Sequence, residues 1–446
     1  MRFSSVIKNT MAALLTGAVC LGGGLSAEAA GITGLTVNSV AKPVSLSPIL
    51  RWDRYADAVC FELELFNERP GQLKKDEKSP AAIWRNEYIF KNACNVPLYK
   101  IVGADFSGHL WWRVRPLNFD HEPISEFSTP AEIFVSDREA WVNAPEPMGE
   151  DAPRLLYPVY SWVGQHDADK YKVEIYSGNP AKSDGAVLLG ALDAVISEKY
   201  DDVPRQDSPE VYWRVHAYDK EGEPLGQWSS PKKLKRLKGR QYIAVYGDSI
   251  SHGGGRMSYG PDVPEYSYLT YLKFRAGNLA CSGWTTADMV DHFRSDVLPA
   301  RPRYLLILGG SNDLRVDWGD PKESINNIRQ LAELCVDNGI RPIFLTLPPI
   351  NPRQIAKAFE ENSAADWRAK FDALNEYIRT LPHIDTAAPF ENLSEGREMP
   401  AELAVDGLHG DVKAKQMMAA SINKNWAAAR KSADLWYKAK IKGRKS

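Results

Sequence analysis

Ser249, Gly283, Asn312, Asp406 and His409 are residue types that together could hydrolyse an ester. A serine hydroxyl attacks a carbonyl only after a base removes its proton. His409 could take that proton and later return it to the leaving alcohol. Asp406, three residues earlier, could fix the imidazole tautomer and steady the imidazolium. The tetrahedral intermediate then needs donors at its oxyanion. The backbone N–H groups of Ser249 and Gly283 and the amide of Asn312 would supply three. Asp248 and Asp313, beside two of these residues, read as structural hydrogen-bonders rather than acids or bases.

Something must bring these residues together, and from Gln241 onward the sequence alternates strand and helix. Short apolar runs at 242–246, 278–281, 304–308 and 342–346 have buried-strand character, with a weaker one at 383–385. Asp320, Pro321 and Glu323 read as a capping-box start; Ile325, Ile328, Leu331 and Leu334 give one apolar face, and Gly339 follows the end. A last helix is expected after His409, with Met418, Ile422 and Trp426 on one side. Such alternation predicts a parallel sheet covered by helices on both faces. In that architecture ligands bind beyond the carboxyl ends of the strands. Ser249 would follow the first strand, Gly283 the second and Asn312 the third, with Asp406 and His409 in the loop before the last helix.

The blocks Gly247-Asp248-Ser249-Ile250, Gly283, Gly310-Ser311-Asn312-Asp313 and Asp406-Gly407-Leu408-His409 stand in this order within 241–429. In that respect the region resembles the SGNH hydrolase superfamily, the GDSL-type lipases and esterases. The resemblance implies a three-layer, flavodoxin-like α/β/α domain and a mechanism without metal or cofactor. It also implies a triad of Ser249, Asp406 and His409, and an oxyanion hole of Ser249, Gly283 and Asn312. Trp284, after the second-block glycine, is a departure that bears on the substrate pocket. No CxxC or CxxC…HxxxH spacing supports a zinc site.

The first half of the chain contains a repeat. Trp111-Trp112-Arg113-Val114-Arg115, Pro123 and Phe127-Ser128-Thr129-Pro130 return as Tyr212-Trp213-Arg214-Val215-His216, Pro224 and Trp228-Ser229-Ser230-Pro231. Upstream, Phe61, Leu63 and Leu65 alternate as Tyr171, Val173 and Ile175 do, and Trp52 matches Trp162. Short strands between polar turns point to β-sandwiches. The pattern resembles fibronectin type III modules over 31–140 and 145–236, which implies a fold rather than a ligand. Trp52, Trp112, Trp162 and Trp213 read as sandwich core. The basic stretch 232–240 marks the boundary with the third domain.

Residues 1–30 read as an export signal: Arg2 and Lys8, an apolar run 11–25, then Ala27-Glu28-Ala29. That apolar run is shorter than a membrane span, so the mature protein is expected outside the cytoplasm with no transmembrane segment. Cys60, Cys94, Cys281 and Cys335 would remain; the last two read as buried thiols, and a Cys60–Cys94 disulfide stays open. A net charge of −2 over 446 residues gives no electrostatic case for nucleic acid. The segment 430–446 holds seven basic residues against Asp434, so the tail or the sandwiches could attach the protein to the cell envelope. His252, in Ser251-His252-Gly253-Gly254-Gly255, reads as a loop histidine without a role, and 253–267 with 348–352 as pocket loops.

The expected function is hydrolysis of a short acyl ester, an O-acetyl group on a polysaccharide. A lysophospholipase or lipase is the alternative enzyme, and a carbohydrate-binding protein with a vestigial hydrolase domain the alternative of another class.

Overall fold

The computed structural model describes residues 31–446, apart from 56–57, 72–80, 119, 150–152, 183, 207, 256–258, 395 and 445–446. The expected export signal therefore lies outside the described residues, as do three residues of the expected pocket loop 253–267.

Alternation in the first repeat builds a four-stranded antiparallel sheet in the order Trp84–Ile89, Cys60–Phe66, Gly108–Leu117, Ala131–Val135. A two-stranded sheet, Ile49–Arg51 with Ala93–Asn95, accompanies it. Leu63, Leu65, Trp112, Val114 and Trp52 fill the core. The opposite face carries charge yet is also buried. Glu64 pairs with Arg113 at 2.6 Å and Glu62 with Arg115 at 2.6 Å. The Phe127 ring covers both guanidinium groups, at 4.0 and 4.2 Å. The second repeat copies the device, with Arg214 between Glu174 and the ring of Trp228. Pairing and stacking together are what let arginine be buried here.

The second repeat forms a three-stranded sheet, Glu198–Tyr200, Val159–Val163 and Glu146–Pro147, facing a larger sheet built on Lys170–Ser177 and Tyr212–Tyr218. Trp162, Val173, Ile175, Trp213 and Val215 are its core. Cys60, Cys94, Cys281 and Cys335 are all free and buried, so the open Cys60–Cys94 disulfide is not formed.

The third domain has five parallel strands in the spatial order Gly277–Asn278, Ile243–Gly247, Tyr304–Leu308, Arg341–Leu345, His383–Ile384. In sequence order this is 2-1-3-4-5, so direction reverses beside the first strand, where a doubly wound sheet opens a crevice. Helices Thr286–Ala300, Pro321–Asp337, Trp367–Arg379 and Val412–Gly443 are the long ones around it. Asp320 caps its helix by accepting from the Lys322 N–H. The final helix begins at Val412 and runs unbroken to Gly443, through most of the basic segment. No helix among the described residues is long and apolar enough to cross a membrane.

The sandwiches do not hang free of this domain. Residues Leu155–Tyr157, arriving from the second repeat, lie along the edge strand: Leu155 pairs in parallel with Asn278, and the Leu156 N–H donates to the Asn278 carbonyl at 3.0 Å. Leu156 and Tyr157 belong to the hydrophobic core of the third domain. Elsewhere Lys91 of the first repeat and Glu198 of the second form a buried pair at 2.6 Å. A side chain at Gly260, in the 253–267 loop, would collide with Glu198. Arg54 reaches Glu265 of the same loop at 2.7 Å, and the Tyr259 hydroxyl donates to the Tyr55 carbonyl at 2.9 Å. Both sandwiches thus shape that loop.

Candidate active site

Ser249 opens a single helical turn, Ser249–His252, directly after the first strand. Asp248 caps the turn by accepting from the Ile250 N–H at 2.9 Å, which fixes where Ser249 stands. Gly247 must be glycine, because a Cβ there would run into the Leu308 carbonyl oxygen of the neighbouring strand. The Ser249 hydroxyl lies 2.7 Å from Nε2 of His409, and Nδ1 of His409 lies 2.7 Å from the Asp406 carboxylate. The other carboxylate oxygen accepts from the Leu408 and His409 N–H groups at 3.0 and 2.8 Å. Burial pushes the Asp406 carboxyl up; the charge and hydrogen bonds of His409, with the two backbone donors, outweigh it and hold the group below its ordinary range. Asp406 therefore stays ionised. Gly407, at φ +87°, makes the turn that brings Asp406 and His409 face to face.

Gly283 also has a left-handed φ, +88°, and a Cβ there would meet nothing within 4 Å. Its reason for being glycine is backbone conformation rather than crowding. The loop is tied to the Ser249 strand where the Cys281 N–H donates to the Gly247 carbonyl at 3.0 Å. Asn312 sits in the turn Ser311–Leu314 after the third strand, and its side-chain amide donates to the Trp284 carbonyl at 2.9 Å. One amide hydrogen is used there, which aims the group and leaves the second for another acceptor. Asp313 is buried and accepts from the Thr286 N–H at 3.0 Å and the Ser324 hydroxyl at 3.3 Å. Its contacts are structural.

Two residues here were not singled out by the sequence, or were misjudged from it. Lys415 is fully buried in the last helix and donates to the Ile250 carbonyl at 3.1 Å. Burial pushes its ammonium down to about 8 against the upward pull of Asp248, Asp406 and Asp411. The available signal was positional: Lys415 shares a helical face with Met418 and Ile422, where an apolar residue belongs. His252 is no loop histidine on a pocket edge. It is 1% exposed, with Nδ1 2.9 Å from the Ser282 hydroxyl and Nε2 2.9 Å from the Tyr157 carbonyl.

Burial pushes the His252 imidazole down to about 4, and the bond to the Tyr157 carbonyl opposes this only in part. In the unfolded chain it takes a proton near 6.5. Between those values the unfolded state binds more protons, so this residue's contribution to stability is full above the unfolded value and is lost as pH falls toward 4. The loss is on the order of 3 kcal/mol. Urea unfolding of wild type and His252→Asn at pH 7 and pH 4.5 is expected to show the wild-type advantage shrinking on acidification. A constant difference would mean the imidazole is not held neutral.

Residues 245–416 match the GDSL-like Lipase/Acylhydrolase family. The third domain is a GDSL-like acylhydrolase domain. It is an ester-bond hydrolase by family, with the parallel sheet and flanking helices of the SGNH fold. The chain is 26% identical over 197 residues to the Bacillus subtilis protein named "Uncharacterized lipoprotein YqeF", covering 38% of this chain and 81% of that one. It is similar to the crystal structure of a GDSL-like lipase from Bacteroides thetaiotaomicron, at 22% identity over 42% of this chain and 87% of that chain, TM-score 0.34. It is also similar to a catalytic mutant of an acetylxylan esterase from Geobacillus stearothermophilus, at 18% identity over 42% and 94%, TM-score 0.33. The matched span covers the acylhydrolase domain and leaves both sandwiches outside it.

Proposed function

We propose that the protein is an exported serine esterase that removes a short acyl group, an O-acetyl, from a carbohydrate. The reading rests on one observation, the continuous hydrogen-bond chain from Ser249 through His409 to Asp406. His409 accepts the serine proton as Ser249 Oγ attacks the ester carbonyl. The oxyanion is held by the Ser249 and Gly283 N–H groups and the free amide hydrogen of Asn312. His409 then protonates the departing sugar hydroxyl, leaving an acyl-serine. Water, activated by the same imidazole, releases the acid and restores the enzyme.

Two features favour a large external alcohol. The first sandwich reaches the acylhydrolase domain through an ion pair between Asp120 and Lys357, on the helix Pro352–Phe359 whose Phe359 ring lies 6.5 Å from that of His409. A polymer leaving the serine on that side would meet the sandwich. The B. subtilis relative is named a lipoprotein, which supports a setting outside the cytoplasm.

A fluorophosphonate probe should add to Ser249 in the wild type and leave Ser249→Ala unlabelled by mass spectrometry. On p-nitrophenyl esters from acetate to octanoate, kcat/KM should fall steeply beyond butyrate. A profile rising toward octanoate, with fatty-acid release from a lysophospholipid, would replace this reading by the lipase one.

A further inference from the structure

The loop that carries Gly283 is gripped from behind by a side chain whose hydrogen bonds go to neither Ser249 nor His409. The Ser282 N–H donates to Nδ1 of His252 at 3.2 Å, and the Ser282 hydroxyl sits 2.9 Å from the same nitrogen. On the far side of the ring, Nε2 lies 2.9 Å from the Tyr157 carbonyl. The backbone decides the tautomer here. A peptide N–H can only donate and a peptide carbonyl can only accept, so Nδ1 carries the lone pair and Nε2 the proton. His252 is thus a neutral bridge between two main chains.

Those main chains belong to different parts of the molecule. Ser282 precedes Gly283 in the loop after the second strand of the acylhydrolase sheet. Tyr157 is the end of the segment by which the second sandwich lies against that sheet. Asn278 closes the circuit: its carbonyl takes the Leu156 N–H, and its side-chain amide donates to the Ser251 and His252 carbonyls at 3.0 and 2.9 Å.

We propose that His252 is a positioning residue that sets the Gly283 N–H by holding the Ser282 N–H beside it. This rests on the reading of Gly283 as an oxyanion donor. Displacing an oxyanion donor by a fraction of its bond length weakens transition-state binding while leaving ground-state binding nearly unchanged, so the signature is a loss in kcat rather than a rise in KM.

Two amide side chains divide the roles of the ring. The oxygen of asparagine falls near Nδ1, so His252→Asn keeps an acceptor for the Ser282 N–H and gives up the Tyr157 carbonyl. The amide of glutamine reaches the position of Nε2, so His252→Gln keeps the Tyr157 bond and leaves the Ser282 N–H without its acceptor. With p-nitrophenyl acetate, His252→Asn should stay within about 3-fold of wild-type kcat, and His252→Gln should fall about 10- to 100-fold at a KM within about 3-fold. His252→Leu should behave as the glutamine variant does, and where it fails to fold the amide pair decides alone. Each amide variant loses one bond, so comparable melting temperatures with unequal kcat separate positioning from general stability.

Equal kcat for the two amide variants, or a glutamine variant at wild-type rate, would overturn the assignment. Ser249→Ala, run beside them, keeps the two readings apart. Residual turnover at wild-type level in that variant would sink the serine mechanism itself. An inactive Ser249→Ala with indifferent His252 variants would sink only the role given to His252.

Discussion

Asp406→Asn should lower kcat on p-nitrophenyl acetate by roughly three to four powers of ten, with the fold intact. The size of the loss follows from what each carboxylate oxygen does. One accepts from the Leu408 and His409 N–H groups, and an asparagine carbonyl can continue to do so. The amide nitrogen must then face Nδ1 of His409, where the carboxylate now stands at 2.7 Å. An NH2 group donates, so Nδ1 must become the acceptor and the ring proton must move to Nε2. That nitrogen faces the Ser249 hydroxyl at 2.7 Å and, protonated, cannot take its hydrogen. The variant should therefore keep its melting temperature and its KM while losing turnover, and raising the pH should not restore it. A loss under about 10-fold would mean that some other group orients His409.

The second large effect is on stability and lies outside the hydrolytic residues. Tyr157→Ala should destabilise the protein by about 3–5 kcal/mol for the lost aromatic side chain. Tyr157 is buried in the acylhydrolase core with its ring edge-on to Trp284 at 5.1 Å, and its hydroxyl donates to Asp296 at 2.7 Å. Asp296 is itself buried; burial raises its carboxyl, and the Tyr157 hydroxyl works against that rise. Removing the donor adds about 1–3 kcal/mol for a carboxylate left short of a partner. The sum approaches the whole stability of an ordinary domain. Tyr157→Phe isolates the second contribution, and urea unfolding of the pair measures both. A change below about 1 kcal/mol in the alanine variant would show that the sandwich segment is a passive neighbour of the sheet.

Much of the acylhydrolase domain was legible because its information is local. The runs at 304–308 and 342–346 are apolar since both faces of a parallel strand are covered, and the structure places strands at Tyr304–Leu308 and Arg341–Leu345. Asp320 and Gly339 bracket one helix as cap and left-handed stop. The second strand, expected over 278–281, is Gly277–Asn278; the chain beyond it still follows the first strand, with the Leu279 and Cys281 N–H groups donating to the Val245 and Gly247 carbonyls at 2.9 and 3.0 Å.

What stayed hidden were the contacts between residues distant in sequence that neither a period nor a motif announces. His252 looks like a loop residue because Ser251-His252-Gly253-Gly254-Gly255 has loop composition; its burial comes from Tyr157, nearly a hundred residues upstream. Alternation in Phe61-Glu62-Leu63-Glu64-Leu65 correctly separates two faces, yet cannot tell that arginines and Phe127 cover the charged one. Lys415 was concealed by type, since lysine on a helix is usually solvated and here it is closed in beneath Ile250.

The seating of Leu155–Tyr157 against Asn278 also orders events in time. A chain synthesised or threaded from its N-terminus delivers the second sandwich before any strand of the acylhydrolase sheet exists, and domains generally fold as units in that order. The acylhydrolase strands then emerge beside a surface that already carries their first neighbour. A circular permutant that presents residues 241–446 first would keep every contact of the finished protein. It would lack that template while folding, and its refolding yield rather than its final activity is where the difference should appear.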